Sequence, residues 1–214
     1  MHNSILNLID IQKKIKHKFN ELPIIIAVSK NFAEKDIIPL LEHGHLHYGE
    51  NKVQEGVKKW KDLKQNYQNI KLHMLGKLQS NKVKDCLEVF DYIHSLDSKK
   101  LAKKISDQQT KQNRIIKIFI QVNIGKEEQK SGVKISEIEE LLFYCKSLKL
   151  EIIGLMCIPP NVSDPKNYFS EMSLLKNKFN LKNLSMGMSA DYMKAIESTS
   201  NFVRIGTSIF GNRN

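Results

Sequence analysis

Short apolar runs alternate with longer amphipathic segments along nearly the whole chain. The clearest run is Ile24–Val28, five consecutive apolar residues between Pro23 and the polar pair Ser29-Lys30. A continuous apolar run of this length is typical of a strand that is buried on both faces in a parallel sheet. The pattern therefore predicts a buried strand with Lys30 at its C-terminal end.

The same alternation continues to the end of the chain. The predicted strands cover residues 24–28, 45–48, 70–75, 92–95, 115–124, 150–156, 184–186 and 202–205. The predicted helices cover residues 4–19, 34–42, 52–64, 80–88, 98–110, 136–147, 167–179 and 190–197. Eight strand–helix units predict an α/β fold, a single-domain (β/α)8 TIM barrel over residues 1–214 with an extra N-terminal helix. An open doubly wound sheet is the alternative.

Composition and charge narrow the classes of function. The chain has 41% hydrophobic and 27% charged residues, which is ordinary for a globular protein. It has no signal-peptide pattern at its N-terminus and no membrane-length apolar run, so we expect a cytoplasmic protein without a membrane partner. The net charge of +11 would suit a nucleic-acid binder. Because the lysines are spread along the predicted helices rather than clustered, we expect no nucleic-acid partner.

Cysteine and histidine positions give little support for a metal site. Three cysteines are scattered without a CxxC motif: Cys86, Cys145 and Cys157. An odd number of isolated cysteines suits reduced thiols in the core. Three histidines are closely spaced, and residues 45 and 47 would share one face of a strand: His43, His45 and His47. No carboxylate or cysteine has supporting spacing, so we expect no metal and interpret these as strand-edge and core histidines.

Two segments near the C-terminus carry phosphate-binding features. In a barrel, the loops after the last two strands commonly bind phosphate, because free backbone N–H groups and a helix dipole favour an anion there. Here Gly187 and Ser189 follow the seventh predicted strand, while Gly206 and Thr207 follow the eighth, with Arg204 just before them. Each pair alone also suits ordinary helix capping. Together they favour a phosphate site.

Lys30 would lie at the same mouth of the barrel. A lysine amine against low-dielectric walls tends to lose its proton, which an imine-forming lysine requires. The alternative is a lysine that simply leaves the sheet for solvent. Combined with the phosphate site, Lys30 suggests a phosphorylated carbonyl compound as ligand.

Motifs throughout the chain resemble one known family. They are Ala27-Val28-Ser29-Lys30, Tyr48-Gly49-Glu50-Asn51, Leu78-Gln79-Ser80-Asn81-Lys82, Gln121-Val122-Asn123, Lys130-Ser131-Gly132, Gly154-Leu155-Met156, Ser185-Met186-Gly187-Met188-Ser189 and Val203-Arg204-Ile205-Gly206-Thr207. In order and spacing they resemble the pyridoxal phosphate homeostasis protein family, which is similar to the N-terminal barrel of alanine racemase. The resemblance runs from about residue 27 to residue 211.

This resemblance implies a pyridoxal 5′-phosphate (PLP) site with defined residue roles. Lys30 would carry PLP as an internal aldimine, and Asn51 and Met186 would belong to the cofactor pocket. The phosphate would be held by Ser189, Gly206 and Thr207. Arg204 would lie near the pyridine ring or the phosphate. An arginine facing the pyridine nitrogen disfavours the pyridinium form and so weakens the electron sink of the cofactor.

The resemblance implies a carrier rather than an enzyme. Racemisation through PLP needs an acid and a base on opposite faces of the substrate. In alanine racemase the second group is a partner subunit's tyrosine, placed with the help of an additional β domain for which this chain has no room. We therefore expect a monomeric protein of PLP homeostasis, without catalytic residues, that transfers PLP to apo-enzymes. A PLP-dependent amino-acid racemase is the alternative. Lys130 is either a second amine near the pocket or a solvated loop lysine.

Overall fold

The computed structural model describes residues 1–127 and 129–211. Eight parallel strands form a closed barrel in sequence order. The strands are β1 Ile24–Val28, β2 His47–Glu50, β3 Lys71–Met74, β4 Tyr92–Leu96, β5 Lys117–Val122, β6 Glu151–Cys157, β7 Asn183–Ser185 and β8 Phe202–Ile205. This architecture confirms the predicted (β/α)8 barrel. Residues 212–214 of the predicted domain lie outside the described residues.

Helices surround the strands, and an additional helix precedes the first strand, as predicted. They are α1 Asn3–Lys18, α2 Glu34–Glu42, α3 Val53–Asn66, α4 Val83–Val89, α5 Lys99–Gln112, α6 Ile138–Ser147, α7 Lys166–Lys178, α8 Tyr192–Glu197 and α9 Thr207–Phe210, with 3₁₀ turns at Ser80–Lys82 and Ile135–Glu137. Helix α1 buries Leu8, Ile11 and Ile15 and packs against α9 and α2. None of the helices in the described part of the chain combines the length and apolar character needed to cross a bilayer.

Pairing between the first and last strands closes the barrel. Residues Ile24 to Ala27 of β1 lie in register with Phe202 to Ile205 of β8. Such a pair does not exist in an open doubly wound sheet, so the alternative topology is wrong. Closure brings the C-terminal ends of β1 and β8, which carry Lys30 and Gly206, to adjacent positions at one mouth.

The hydrophobic residues form two layers, one on each side of the strands. The larger layer lies between the strands and the helices. A smaller layer fills the lumen of the barrel with Ile26, Val28, Leu75, Tyr92, Phe119, Met156 and Phe202. Successive residues of a strand alternate between these layers, because side chains of a strand point to opposite faces in turn.

Strand β2 begins and ends later than the sequence indicates. The predicted strand over residues 45–48 is instead His47–Glu50, so His45 lies outside it. Glycine usually weakens a strand interior, but Gly49 is needed here because a Cβ at this position would lie 2.5 Å from Leu75 Cδ1. The strand continues through this glycine because it pairs with β1 and β3 on both sides, as far as Gly49 and Glu50.

Candidate functional site

A cavity of about 350 Å³ lies at the C-terminal mouth of the barrel. Polar side chains and backbone from β1, β2, β7 and β8 meet there. The predicted site residues that line it are Lys30, Asn51, Ser189, Arg204, Gly206 and Thr207. Val28, Leu75 and Ile158 add apolar wall. The cavity therefore combines a lysine amine and an arginine guanidinium with hydroxyls and an apolar surface.

Met186 is the predicted site residue that does not line this cavity. Its side chain is fully buried in the hydrophobic layer between strands and helices. It directly follows Ser185, whose side chain faces the lumen, so the alternation along the strand directs Met186 outward. The family resemblance placed Met186 in the predicted pocket, but the strand's alternation puts its side chain on the other face.

Lys30 directly follows a residue at the end of β1, Ser29, that hydrogen bonds hold in place. The preceding Ser29 is fully buried, and its carbonyl accepts a hydrogen bond from Lys59 Nζ at 2.9 Å. The Ser29 hydroxyl donates to Glu50 Oε1 at 2.7 Å. Because the carbonyl and the hydroxyl of Ser29 are both bonded, the chain leading into Lys30 has a defined path into the cavity.

The buried ion pair between Lys59 and Glu50 stabilises these hydrogen bonds to Ser29. Glu50 Oε1 also accepts from Lys59 Nζ at 2.9 Å and from Trp60 Nε1 at 3.0 Å. Burial raises the pKa of the Glu50 carboxyl, and the charge of Lys59 opposes that rise. Lys59 and Trp60 were not predicted as site residues. The available signal was Lys59, a charged residue beside Trp60 on the buried face of α3. Helix faces that pack on a barrel strand normally carry apolar side chains, so a lysine there is unusual.

Arg204 is held rigidly at the floor of the cavity. Its side chain is only 5% exposed, with Nη1 donating to Ser185 Oγ at 2.8 Å and Nη2 donating to the Cys157 carbonyl at 2.9 Å. Burial lowers the pKa of the Arg204 guanidinium from its usual value. An arginine in this position remains a cation with donors only.

The loops after β7 and β8 are joined to each other. The backbone N–H of Ser208 donates to Ser189 Oγ at 3.3 Å, and the backbone N–H of Arg204 donates to the Gly187 carbonyl at 3.0 Å. Gly206 is the N-cap residue of α9 and accepts from the N–H of Ile209 at 2.9 Å. The two predicted phosphate segments therefore form one continuous wall of the cavity.

Gly187 allows a testable prediction about this wall. Its φ is +92°, and a Cβ there would lie 2.6 Å from Ala195 Cβ and 2.9 Å from Tyr192 Cα. Gly44 has a similar φ of +87° but open space around it. We expect Gly187→Ala to lower the free energy of unfolding by about 3 kcal/mol and Gly44→Ala by about 1 kcal/mol, because only the first adds a clash to the backbone strain. Urea denaturation measures both. Equal losses would contradict the tight packing of this loop.

Lys130 lies beside the cavity rather than in it. It lines a neighbouring space of about 370 Å³ that shares Ile158, Met188 and Ala190 with the cavity at the barrel mouth. Lys130 Nζ is 2.6 Å from Glu127 Oε2. Of the two interpretations from sequence, an amine near the pocket describes this position better than a freely solvated lysine.

No group of three or more histidine, cysteine or acidic side chains suited to a metal ion occurs within residues 1–127 and 129–211. The three cysteines are buried and free. Burial lowers the pKa of His45 and of His47 to about 4. His47 donates to or accepts from His73, so it belongs to a hydrogen-bond network inside the barrel.

Comparison with known proteins identifies the class. The family described as "Alanine racemase, N-terminal domain" matches residues 11–214. The fold and the mouth of the barrel therefore define a protein of the alanine racemase N-terminal class.

Curated relatives identify the family within this class. "Pyridoxal phosphate homeostasis protein" of Vibrio alginolyticus is 39% identical over 88% of this chain and 86% of the relative. The protein of the same name from Aquifex aeolicus is 38% identical with the same coverage. The solved structure of PipY from Synechococcus elongatus with PLP bound has a TM-score of 0.85 and 31% identity, over 97% of this chain and 100% of that one. The chain belongs to the pyridoxal phosphate homeostasis protein family.

Proposed function

We propose that this protein binds PLP in the cavity at the barrel mouth and serves intracellular PLP homeostasis. The observation that carries the proposal is the convergence of Lys30, Arg204 and the Ser189–Thr207 wall on one cavity of about 350 Å³. PLP carries an aldehyde, an aromatic ring and a phosphate. The cavity offers an amine, apolar wall and anion-binding groups, so its residues fit the cofactor. The PLP-bound structure of PipY supports the same assignment.

Lys30 is the covalent anchor in this proposal. Its amine condenses with the PLP aldehyde to give a C=N bond, and one water molecule leaves. Ser29, braced by Lys59 and Glu50, holds the backbone from which Lys30 extends. This support lets the lysine reach the aldehyde without reordering the end of β1.

Ser189, Gly206 and Thr207 bind the phosphate. Hydroxyl and backbone N–H groups donate to phosphate oxygens, and glycine lets the backbone approach closely. Arg204 adds a fixed positive charge nearby, and Asn51 also lines the cavity. A dianionic phosphate is therefore balanced by charge as well as by hydrogen bonds.

The lining favours holding PLP over catalysis with it. When bound, PLP supplies an electrophilic carbon and an electron-withdrawing ring. Among the described lining residues, the titratable side chains are Lys30 and Arg204. Arg204 donates hydrogen bonds and cannot accept a proton at neutral pH, so it does not provide the second acid–base group that racemisation needs. We propose that the protein releases PLP to apo-enzymes, as a cytoplasmic monomer.

Transfer and racemisation can be tested with one preparation. We expect the PLP-loaded protein to reactivate an apo-aminotransferase in the presence of a phosphatase that destroys free PLP. We expect no multiple-turnover conversion of L-alanine to D-alanine. Reactivation no faster than that given by free PLP under the same conditions would contradict transfer. Sustained racemisation would favour the enzyme alternative.

A further inference from the structure

A chain of hydrogen bonds crosses the lumen of the barrel from Arg204 to His47. Arg204 Nη1 donates to Ser185 Oγ at 2.8 Å, and Ser185 Oγ lies 2.9 Å from His94 Nδ1. His94 Nε2 lies 2.9 Å from His73 Nδ1. His73 Nε2 lies 3.0 Å from His47 Nδ1. The chain thus joins the cavity floor to the N-terminal end of β2.

This chain is unusual because barrel lumens are normally filled by apolar layers. His73, His94 and Ser185 are fully buried, within a lumen that otherwise contains apolar and aromatic side chains. Strands β4 and β7 are not neighbours in the barrel, so the His94–Ser185 contact spans its interior. Buried polar groups are retained at a cost unless they are paired, and here every ring nitrogen of both histidines has a partner.

Aromatic stacking fixes the ring planes. The His73 ring stacks on Tyr92 with centroids 4.2 Å apart and an interplanar angle of 17°. The His94 ring stacks on Phe119 at 4.3 Å and 23°. Because the ring planes are fixed, one variable remains in the hydrogen-bond chain: which of its two nitrogens each histidine has protonated.

Arg204 determines which nitrogen of each histidine is protonated. An arginine only donates, so Ser185 Oγ must accept from it. Within the described residues, the partners of Ser185 Oγ are Arg204 and His94, so its hydrogen is paired only when it donates to His94 Nδ1. His94 then carries its proton on Nε2 and donates to His73. The opposite direction leaves a buried hydroxyl hydrogen without an acceptor, which is unfavourable.

We propose that Ser185, His94, His73 and His47 are positioning residues that hold the Arg204 guanidinium in one orientation against the ligand cavity. Each imidazole is neutral and carries its proton on Nε2, so His94 donates to His73 and His73 donates to His47. The chain acts as one unit, so its two ends are coupled through the buried rings. The effect on bound PLP rests on the function proposed above, whereas the direction of the chain does not.

The direction can be measured without PLP. In ¹⁵N imidazole spectra of the unliganded protein, we expect His94 and His73 as neutral Nε2–H tautomers. In His47→Leu, the proposed direction leaves only the His73 Nε2 hydrogen unpaired. The reverse direction leaves both the Ser185 hydroxyl hydrogen and the His73 Nε2 acceptor unpaired, so we expect His94 to keep its Nε2–H tautomer. His43→Leu replaces an exposed histidine and serves as the control without change. Nδ1–H tautomers at His94 or His73, in the unmodified protein or in His47→Leu, would overturn the proposal.

The effect on the cavity needs the PLP-loaded protein. Ser185→Ala removes the contact of Arg204 with the chain, and Ser200→Ala removes another buried hydroxyl, one that bonds to backbone carbonyls. We expect Ser185→Ala to shift the absorption maximum of bound PLP and to weaken its binding about tenfold, the equivalent of one hydrogen bond. Ser200→Ala should do neither. Identical spectra and affinities in both variants would overturn positioning, while failure of the unmodified protein to bind PLP would instead contradict the proposed function.

Discussion

Replacing Lys30 with alanine is expected to abolish covalent capture of PLP and to leave the fold intact. The Lys30 side chain lies at the mouth of the barrel and is half-buried, so it adds little to the core. We expect a change in the free energy of unfolding of no more than about 1 kcal/mol. The visible absorption of a lysine-bound PLP should disappear completely. Absorption spectra and urea denaturation of the same preparation measure both effects.

Lys130→Ala is the matched control for this variant. Lys130 lines the adjacent space and pairs with Glu127, so its loss removes a nearby amine without touching the main cavity. We expect Lys130→Ala to retain the visible band. If it lost the band and Lys30→Ala retained it, the anchor would be assigned to the wrong lysine. If Lys30→Ala unfolded, Lys30 would be a structural residue instead.

Stability is expected to fall steeply between pH 6.5 and pH 5. Burial lowers the pKa of His73 and of His94 well below the ordinary value, so both stay neutral in the folded protein. In the unfolded chain they bind protons below about pH 6.5. The unfolded state therefore gains protons that the folded state cannot, and acid favours unfolding. Above pH 6.5 these two histidines are neutral in both the folded and the unfolded state, so their contribution to the free energy of unfolding is constant.

The free energy of unfolding is expected to depend steeply on pH in this window. Each such histidine contributes about 1.4 kcal/mol per pH unit, so His73 and His94 together contribute about 3 kcal/mol per unit in the lower part of this window. His45 and His47, with pKa values of about 4, add to it. Urea denaturation at several pH values measures the slope.

Histidine variants test the origin of that slope. His94→Gln should reduce it by about 1.4 kcal/mol per pH unit, whatever its effect on stability at pH 7. His43→Gln should leave it unchanged, because His43 is exposed and lies outside the buried histidine network. A flat stability profile between pH 5 and pH 6.5 would mean that the buried histidines are not held neutral.

The strand–helix rhythm was sufficient to predict the barrel. Ile24–Val28 forms β1, with Lys30 two residues past its end, because an apolar run of this kind has one favourable environment, a buried parallel sheet. The number of units favoured closure into a barrel over an open sheet, and the pairing of β1 with β8 decided between the two. The position of β2 did not follow from the strand–helix rhythm, since its ends are set by pairing with β1 and β3, which extends through Gly49 to Glu50.

The polar interior could not be predicted, although part of its signal was present. In β3 and β4, His73 and His94 alternate with Leu72 and Ile93, whose side chains lie in the outer layer, so period-two alternation puts both histidines on the lumen face. What the sequence does not contain is the pairing across the lumen between β4 and β7. Such a contact joins residues 91 positions apart, and local pattern carries no information about it.

The central claim is that PLP binds covalently to Lys30 at this mouth of the barrel. Borohydride reduction of the PLP-loaded protein, followed by peptide mass spectrometry, converts the imine to a stable amine and locates it. A yellow protein that is bleached by borohydride and carries the pyridoxyl group on Lys30 is the expected result. A protein that fails to take up added PLP, or carries the group on other lysines but not on Lys30, would contradict the claim.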